Sequence, residues 1–132
     1  MYVQRKTINA NVSITGIGMH SGIYTRVELV PAPAGNGIQF VRADLDGLRI
    51  PALQASTTAL DYATTVGKDD VSVGTVEHLL AAMVACGLTD VDILIDGVEV
   101  PIIDGSALPF VHLIDAAGIR PLGSEVRVLR LR

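Results

Sequence analysis

The chain has 132 residues, of which 49% are hydrophobic, 18% are charged and 4% are aromatic, with a formal net charge of −4 and one cysteine, Cys86. This length predicts a single domain, since domains typically run to about 100–150 residues, and one cysteine excludes an intramolecular disulfide framework. The negative charge argues against nucleic acid and anionic membranes as main partners, and because the sequence has no signal peptide and no run of about 18 apolar residues, it predicts a cytoplasmic protein without a transmembrane segment.

The first two-thirds of the chain alternates short apolar segments with glycine-rich segments, a pattern typical of β-strands joined by turns. In residues 4–14, the apolar side chains of Ile8, Ala10, Val12 and Ile14 alternate with polar ones, which predicts one half-buried strand. Further strands are predicted over residues 25–30, 38–42, 50–55 and 63–68.

Helix signals are confined to the last part of the chain. A helix is predicted over residues 76–86, with Thr75 as its N-cap and Gly87 as the left-handed residue that ends it. A second helix is predicted over residues 107–117, with Ser106 as its cap. Strands are predicted over residues 90–95, 98–103 and 125–132, the second pairing back on the first through the Asp96–Gly97 turn.

This order of elements predicts the fold class α+β, as a two-layer sandwich of a mainly antiparallel sheet with two helices packed on one face. The mean hydropathy of +0.46 is high for a small domain. The apolar residues are chiefly Ala, Val, Ile and Leu, with few aromatic side chains. Such a composition raises the question of whether every apolar surface is buried within this chain.

The predicted helix over residues 76–86 carries the strongest candidate site. One apolar stripe at helical spacing consists of Val76, Leu79, Leu80, Met83 and Val84. At about 100° per residue, His78 lies opposite that stripe and Glu77 lies at its margin. A single histidine in an apolar stretch is usually a buried residue with a hydrogen-bond partner, but here the core-facing side of the helix is already occupied.

The side of the helix around His78 is not polar either, since it consists of Ala81, Ala82 and Ala85. A helix that is apolar all round is a buried helix, and small side chains let another element approach closely. Polar groups in such a contact need partners, because unpaired burial costs about 1–3 kcal/mol each. The sequence therefore predicts that Glu77 and His78 belong to an active-site helix covered by a further element.

The chemistry of these two residues favours a metal-assisted reaction. His78 is predicted in the first turn of the helix, where the helix dipole disfavours imidazolium and leaves the neutral form that binds zinc. Glu77 could accept a proton from a water molecule activated by the metal. Catalytic zinc normally takes three protein ligands, and neither His20 nor His112 has a spacing that pairs it with His78. The sequence thus contains part of a metal site.

Four segments occur in a recognisable order, namely residues 16–22 (GIGMHSG), 31–33 (PAP), 75–82 (TVEHLLAA) and 99–107 (EVPIIDGSA). With these segments the chain closely resembles the zinc-dependent UDP-3-O-acyl-N-acetylglucosamine deacetylases of lipid A biosynthesis, and the resemblance covers essentially the whole chain. Small departures, such as Gly74 where serine is common, leave Glu77 and His78 unchanged.

The resemblance implies enzymes roughly twice this length, with two similar α+β domains whose helices pack face to face around the active site. Residues 1–132 are expected to form one α+β domain equivalent to the first of these, with the second domain absent. The same resemblance implies that His78 is a zinc ligand. It also implies that Glu77 is the general base that activates water for hydrolysis of the acetamide of UDP-3-O-acyl-N-acetylglucosamine. The other zinc ligands are expected in the second domain, so the isolated chain is expected to be inactive.

Two alternatives accompany this interpretation. His20, in the glycine-rich segment, is a candidate substrate-binding residue, and the alternative is a loop histidine that only forms local hydrogen bonds. The whole chain is alternatively a non-catalytic homologue that binds a partner or another copy of itself through the helix face carrying Glu77 and His78. The expected partners are therefore the UDP-sugar substrate and either the second domain or another copy of this chain.

Overall fold

The computed structural model describes residues 2–52, 57–59, 64–68 and 71–127. Parts of the strands predicted over residues 50–55, 63–68 and 125–132 lie outside these ranges. Within them, the strands are β1 (Tyr2–Ile8), β2 (Val12–Ile17), β3 (Tyr24–Pro31), β4 (Ile38–Arg42), β5 (Leu48–Pro51), β6 (Thr57–Ala59), β7 (Thr64–Lys68), β8 (Val71–Val73), β9 (Val91–Ile95) and β10 (Ile119–Arg127). The helices are a short 3-10 turn (Ala43–Leu45), α1 (Glu77–Ala85) and α2 (Leu108–Ala117).

These elements confirm the predicted α+β class, and the described strands form three sheets. The largest sheet has the strand order β2-β3-β9-β4-β5. Its neighbouring strands are antiparallel except for the parallel pair β4 and β9. The second sheet has the order β6-β7-β8, and β1 pairs with β10 as a two-stranded ribbon. Neither helix of the described chain is long and apolar enough to cross a membrane.

One row of apolar side chains crosses the five-stranded sheet and forms the floor of the core. In register, its members are Val12, Leu29, Ile93, Phe40 and Ile50. The last four are fully buried, and the buried sides of α1 and α2 belong to the same hydrophobic cluster. Full burial of a side chain of this size contributes about 1.5–3 kcal/mol. The core therefore fixes both helices against one sheet.

The single strand predicted over residues 4–14 is wrong, because the chain leaves one sheet and enters another. Residues 9 and 10 form a bend, and the N–H of Asn9 donates to the carbonyl of Gly118. Before this bend β1 pairs with β10, whereas after it β2 pairs with β3. The apolar alternation continues through the bend even though Ala10 itself is exposed, so periodicity gave no sign of the break.

The strand predicted over residues 98–103 is also wrong. Its expected partner, β9, is already paired with β3 on one edge and with β4 on the other. The chain after β9 instead meets Gly74, which donates its N–H to the carbonyl of Val98 and accepts from the N–H of Val100. The result is an isolated parallel bridge between Gly74 and Glu99.

The two glycines that follow the helices agree with the sequence, whereas the two N-caps do not. Gly87 follows α1 with a positive φ of 72°, and Gly118 ends α2 with a φ of 78°. The capping position of α2 is Ala107, which makes no side-chain cap bond, and not the predicted Ser106, whose hydroxyl accepts from the N–H of Leu108 at 3.3 Å. The prediction of Thr75 as the N-cap of α1 is wrong, because the capping position is Val76, which makes no side-chain cap bond.

A buried carboxylate, that of Asp90, holds the loop that follows β3. Its oxygens accept from the backbone N–H of Gly35 at 3.1 Å and of Gly37 at 2.7 Å. They also accept from the Thr89 hydroxyl at 2.7 Å and the Arg5 guanidinium at 3.1 Å. Burial raises the pKa of Asp90, but these hydrogen bonds together lower it further, and the pKa lies below the usual aspartate value. Asp90 therefore stays ionised inside the protein.

We expect Asp90→Asn to lower the free energy of unfolding at pH 7 by about 1.5–3 kcal/mol, since it replaces a charged acceptor that collects several donors. Because the folded-state pKa lies below the unfolded value of about 3.9, this stabilisation is present above that pH and is lost as the pH falls through the folded-state pKa. The difference in the free energy of unfolding between the wild type and the Asp90→Asn variant should therefore become smaller below about pH 4. Urea unfolding across this pH range measures both effects.

The matched control is Asp115→Asn, because Asp115 is an exposed carboxylate on α2. It should change the free energy of unfolding by no more than about 0.5 kcal/mol at any of these pH values. Equal stability of the wild type and the Asp90→Asn variant at pH 7 would contradict the role given to this carboxylate.

Candidate active site

The first two residues of α1 are Glu77 and His78, the pair that the sequence singled out. Both are half-buried, whereas Leu79, Ala82 and Met83 face the core. An acidic residue in the first turn of a helix is stabilised by the helix dipole, which disfavours a cation at the same place. The start of α1 therefore presents a carboxyl and an imidazole side chain side by side at the positive end of the helix dipole.

The outward face of α1 is defined by Glu77, His78, Ala81, Val84 and Ala85. At 100° per residue these five positions fall within an arc of about 120°. Ala81, Val84 and Ala85 are exposed, and Val84 retains 76% of its accessible surface. The placement of Val84 in the core stripe is therefore wrong, because Ala82 occupies the core side instead. The outward face joins the Glu77–His78 pair to a solvent-exposed apolar surface.

His20 lies in the turn between β2 and β3, which is called here the His20 loop and spans residues 18–23. Backbone bonds close it, with the N–H of Gly18 donating to Ile23 and that of Gly22 donating back to Gly18. The His20 residue is exposed. The glycines of this loop do not form a dinucleotide-binding motif, because such a motif is followed by a helix and this loop is followed by the strand β3.

A buried glutamate, Glu99, connects the His20 loop to the chain just before α1. Its carboxylate accepts from the backbone N–H of His20 at 3.1 Å and of Ser21 at 2.8 Å. It also accepts from the hydroxyl of Thr75 at 2.5 Å. Only 4% of the surface of Glu99 is accessible. His20 and the Glu77–His78 helix start are thus linked through one side chain.

Thr75 reaches Glu99 in a strained backbone conformation. Its φ is 58°, in the left-handed region that a β-branched residue rarely adopts. Such a conformation costs about 1–3 kcal/mol and persists only where the surroundings hold it. The bond to Glu99 explains why Thr75 does not cap α1, since its hydroxyl is directed to the carboxylate instead.

The segment before α2 brings Asp104 within electrostatic reach of the helix start. The carboxylate of Asp104 accepts from the hydroxyl and the N–H of Ser106, at 2.7 and 2.9 Å. These bonds lower the pKa of the exposed Asp104, the hydroxyl having the largest effect, and attraction to His78 adds a smaller lowering. The hydrogen bonds of Ser106 identify it as a turn and helix-start residue.

The other residues that could bind a metal do not form a set of ligands with His78 in the part of the chain that the structure describes. His112 is exposed on α2. Cys86 is half-buried at the end of α1, and burial, followed by the nearby charge of Asp115, raises the pKa of its thiol. Among the described residues, no group of three or more His, Cys, Asp or Glu side chains could hold a metal ion. His78 is therefore the ligand candidate that the helix start supplies.

The sequence singles out Glu77, His78 and His20 as candidates but gives no sign of the contacts of Glu99. Glu99 lies 24 residues from Thr75 and 79 from His20 along the chain, so no local pattern connects them. The one available signal was its place at the start of the 99–107 segment, which was recognised by resemblance alone.

Comparison with known proteins identifies the family of the chain. A family model described as "LpxC: UDP-3-O-acyl N-acetylglycosamine deacetylase" matches residues 5–132. A protein of Solibacter usitatus named UDP-3-O-acyl-N-acetylglucosamine deacetylase is 44% identical over 126 residues, which are 96% of this chain and 43% of the relative. One of the same name from Myxococcus xanthus is 45% identical over 129 residues, which are 97% of this chain and 41% of the relative. The chain thus spans about two-fifths of these relatives, and it belongs to the UDP-3-O-acyl N-acetylglycosamine deacetylase family of enzymes.

Proposed function

We propose that this chain supplies one part of a deacetylase active site that acts on UDP-3-O-acyl-N-acetylglucosamine in lipid A biosynthesis. Glu77 is the general base, His78 is a metal ligand, and His20 contacts the substrate at the edge of the site. The observation that carries this proposal is the Glu77–His78 pair at the start of a helix whose outward face is open. The predicted cytoplasmic location belongs to the same proposal.

In the proposed reaction, water attacks the carbonyl carbon of the acetamide and the bond from that carbon to nitrogen breaks. Glu77 accepts a proton from the attacking water, for which an oxygen of its carboxylate has to lie about 2.6–3.2 Å from the water. The proton then passes to the departing nitrogen, which leaves acetate and a free amine. Glu77 is the first residue of α1, so this base lies at the start of the helix, next to His78.

The donor set of the described chain fits a zinc ion in part. His78 would hold the ion through one imidazole nitrogen, but catalytic zinc takes three protein ligands, and the described residues hold no group of three. When bound, zinc would polarise the acetamide carbonyl and lower the pKa of water. We propose that the missing ligands come from the part of the relatives that this chain does not span.

The outward face of α1 supports the presence of a covering element. Ala81 and Ala85 are small enough to let another backbone approach, and Val84 adds exposed apolar area beside them. Exposed apolar patches next to polar groups mark surfaces of contact. We propose that a segment equivalent to the rest of the relatives packs on this face and closes the site over Glu77 and His78.

A chimera tests the catalytic roles, with this chain replacing the aligned 126 residues of the Solibacter usitatus relative. We expect Glu77→Gln to lower kcat by about 10²–10⁴-fold, the usual contribution of a general base, while zinc content is unchanged. His78→Ala should lower the zinc content as well as the activity. Acetate release from UDP-3-O-acyl-N-acetylglucosamine and metal analysis after dialysis give the two readouts.

Matched controls exist for both substitutions. Glu28→Gln changes a glutamate on β3 that pairs with Arg26 at 3.5 Å, and His112→Ala changes the exposed histidine of α2. Both should leave activity and zinc content at wild-type values. An active chimera that is indifferent to Glu77→Gln would exclude Glu77 as the base.

A second experiment tests the outward face of α1. We expect this chain to bind the separately produced remainder of the Solibacter usitatus relative, and Val84→Glu to weaken that binding by about tenfold or more, since it buries an unpaired charge. Because Val84 is exposed, the same change should leave the thermal midpoint of the isolated chain unchanged. Calorimetry of the two components measures the binding.

The control for this face is Ala34→Glu, in the loop at the opposite end of β3 from the His20 loop. It should not affect binding. Light scattering of the isolated chain addresses the alternative, because a dimer that Val84→Glu dissociates, without binding to the remainder, would assign this face to self-association.

A further inference from the structure

Building on the proposed function, we propose that Glu99 is a positioning residue of the deacetylase site. Its carboxylate holds the His20 loop and the start of α1 at a fixed separation, so that His20, Glu77 and His78 face one substrate. Glu99 itself is buried and does not reach the substrate, and it acts through the groups that donate to it.

The donors come from two segments that lie far apart in the sequence. The His20 loop provides the N–H of His20, which lies 3.1 Å from each carboxylate oxygen, and the N–H of Ser21 at 2.8 Å. The chain before α1 provides the Thr75 hydroxyl at 2.5 Å. Hydrogen bonds to an ionised acceptor are roughly twice as strong as neutral ones. One charge therefore holds both segments.

The carboxylate is suited to this role because it remains ionised. Burial raises the pKa of Glu99, but the bonds from Thr75, Ser21 and His20 lower it further, and the net pKa is below the usual glutamate value. The backbone N–H groups of His20 and Ser21 can only donate, and an ionised carboxylate accepts from both of them and from the Thr75 hydroxyl. The charged form is the one that fits every partner.

On the helix side, Glu99 sets the direction in which the chain enters α1. Gly74 is fixed by backbone bonds to Val98 and Val100, and Thr75 then takes its left-handed φ to reach the carboxylate. Two residues later α1 begins at Glu77. Since the first helical residues follow directly from this entry, loss of the Thr75 bond would change the orientation of Glu77 and His78.

On the loop side, Gly18 shows how closely the turn surrounds the carboxylate. A Cβ atom at Gly18 would overlap with Oε1 of Glu99 and with Oγ of Ser21. The loop therefore has no room for a side chain at Gly18, and its N–H bonds hold it against Glu99. His20 is consequently held by its backbone while its side chain is free to contact a ligand.

Hydrogen exchange tests the structural half of the proposal. In Glu99→Gln, the amides of His20 and Ser21 and that of Leu80, which bonds to Val76 in the first turn of α1, should all exchange about tenfold faster or more. Amides of the central strand β9 should be unchanged. The control Glu28→Gln should change none of them. Faster exchange of the loop without any change at Leu80 would overturn the proposed link.

Kinetics of the chimera test the functional half. We expect Glu99→Gln to lower kcat by about 10–100-fold, the scale of a small misplacement of reacting groups, with zinc content retained. Thr75→Val should have a similar effect, Thr75→Ser should restore most of the activity, and the double variant should lose little more than either single one. If the kcat losses of the two single variants add in the double variant, or if kcat falls only in proportion to the thermal midpoint, Glu99 has a structural role and not a positioning role.

The same chimera separates this proposal from the proposed function. Activity that survives Glu77→Gln contradicts the proposed function. Activity that requires Glu77 but is unaffected by Glu99→Gln contradicts only the positioning role.

Discussion

β9 is hydrogen-bonded along both edges, to β3 on one side and β4 on the other, and this decides the course of the chain around it. The residues that follow β9 cannot fold back and pair with it, and they leave the sheet and meet Gly74. That departure places Glu99 between the His20 loop and the start of α1. The candidate site thus depends on a sheet position that contains none of its residues.

A buried carboxylate holds a loop at each end of β9. Asp90 precedes the strand and Glu99 follows it, and each is a buried carboxylate that accepts backbone N–H groups from a glycine-containing loop. Both retain a lowered pKa despite burial, because the donors outweigh the loss of hydration. Asp90 holds the loop that follows β3, whereas Glu99 holds the His20 loop, which contains a candidate substrate-binding residue.

The sequence predicted the features that local pattern determines. The bounds of β4 agree with the predicted residues 38–42, and α1 differs from its prediction by one residue at each end. Gly87 could be predicted as the residue that ends α1 because glycine readily adopts the left-handed φ that is found there. The long strand over residues 4–14, the strand over residues 98–103 and the cap at Thr75 failed for another reason. Each depends on contacts between residues far apart in the sequence, namely the pairing of β1 with β10 and of β2 with β3, the occupied edges of β9, and the bond from Thr75 to Glu99. Periodicity contains no information on such contacts.

The enclosure of Glu99 by the turn between β2 and β3 restricts how this family member could diversify. A turn that donates the N–H groups of His20 and Ser21 to one carboxylate, and whose Gly18 leaves no space for a side chain, has a fixed length. An inserted residue would displace either the donors or the strand register on each side. Changes on this edge would therefore arise by exchange of the outward side chains, such as Met19, which is 64% exposed, and not by growth of the loop.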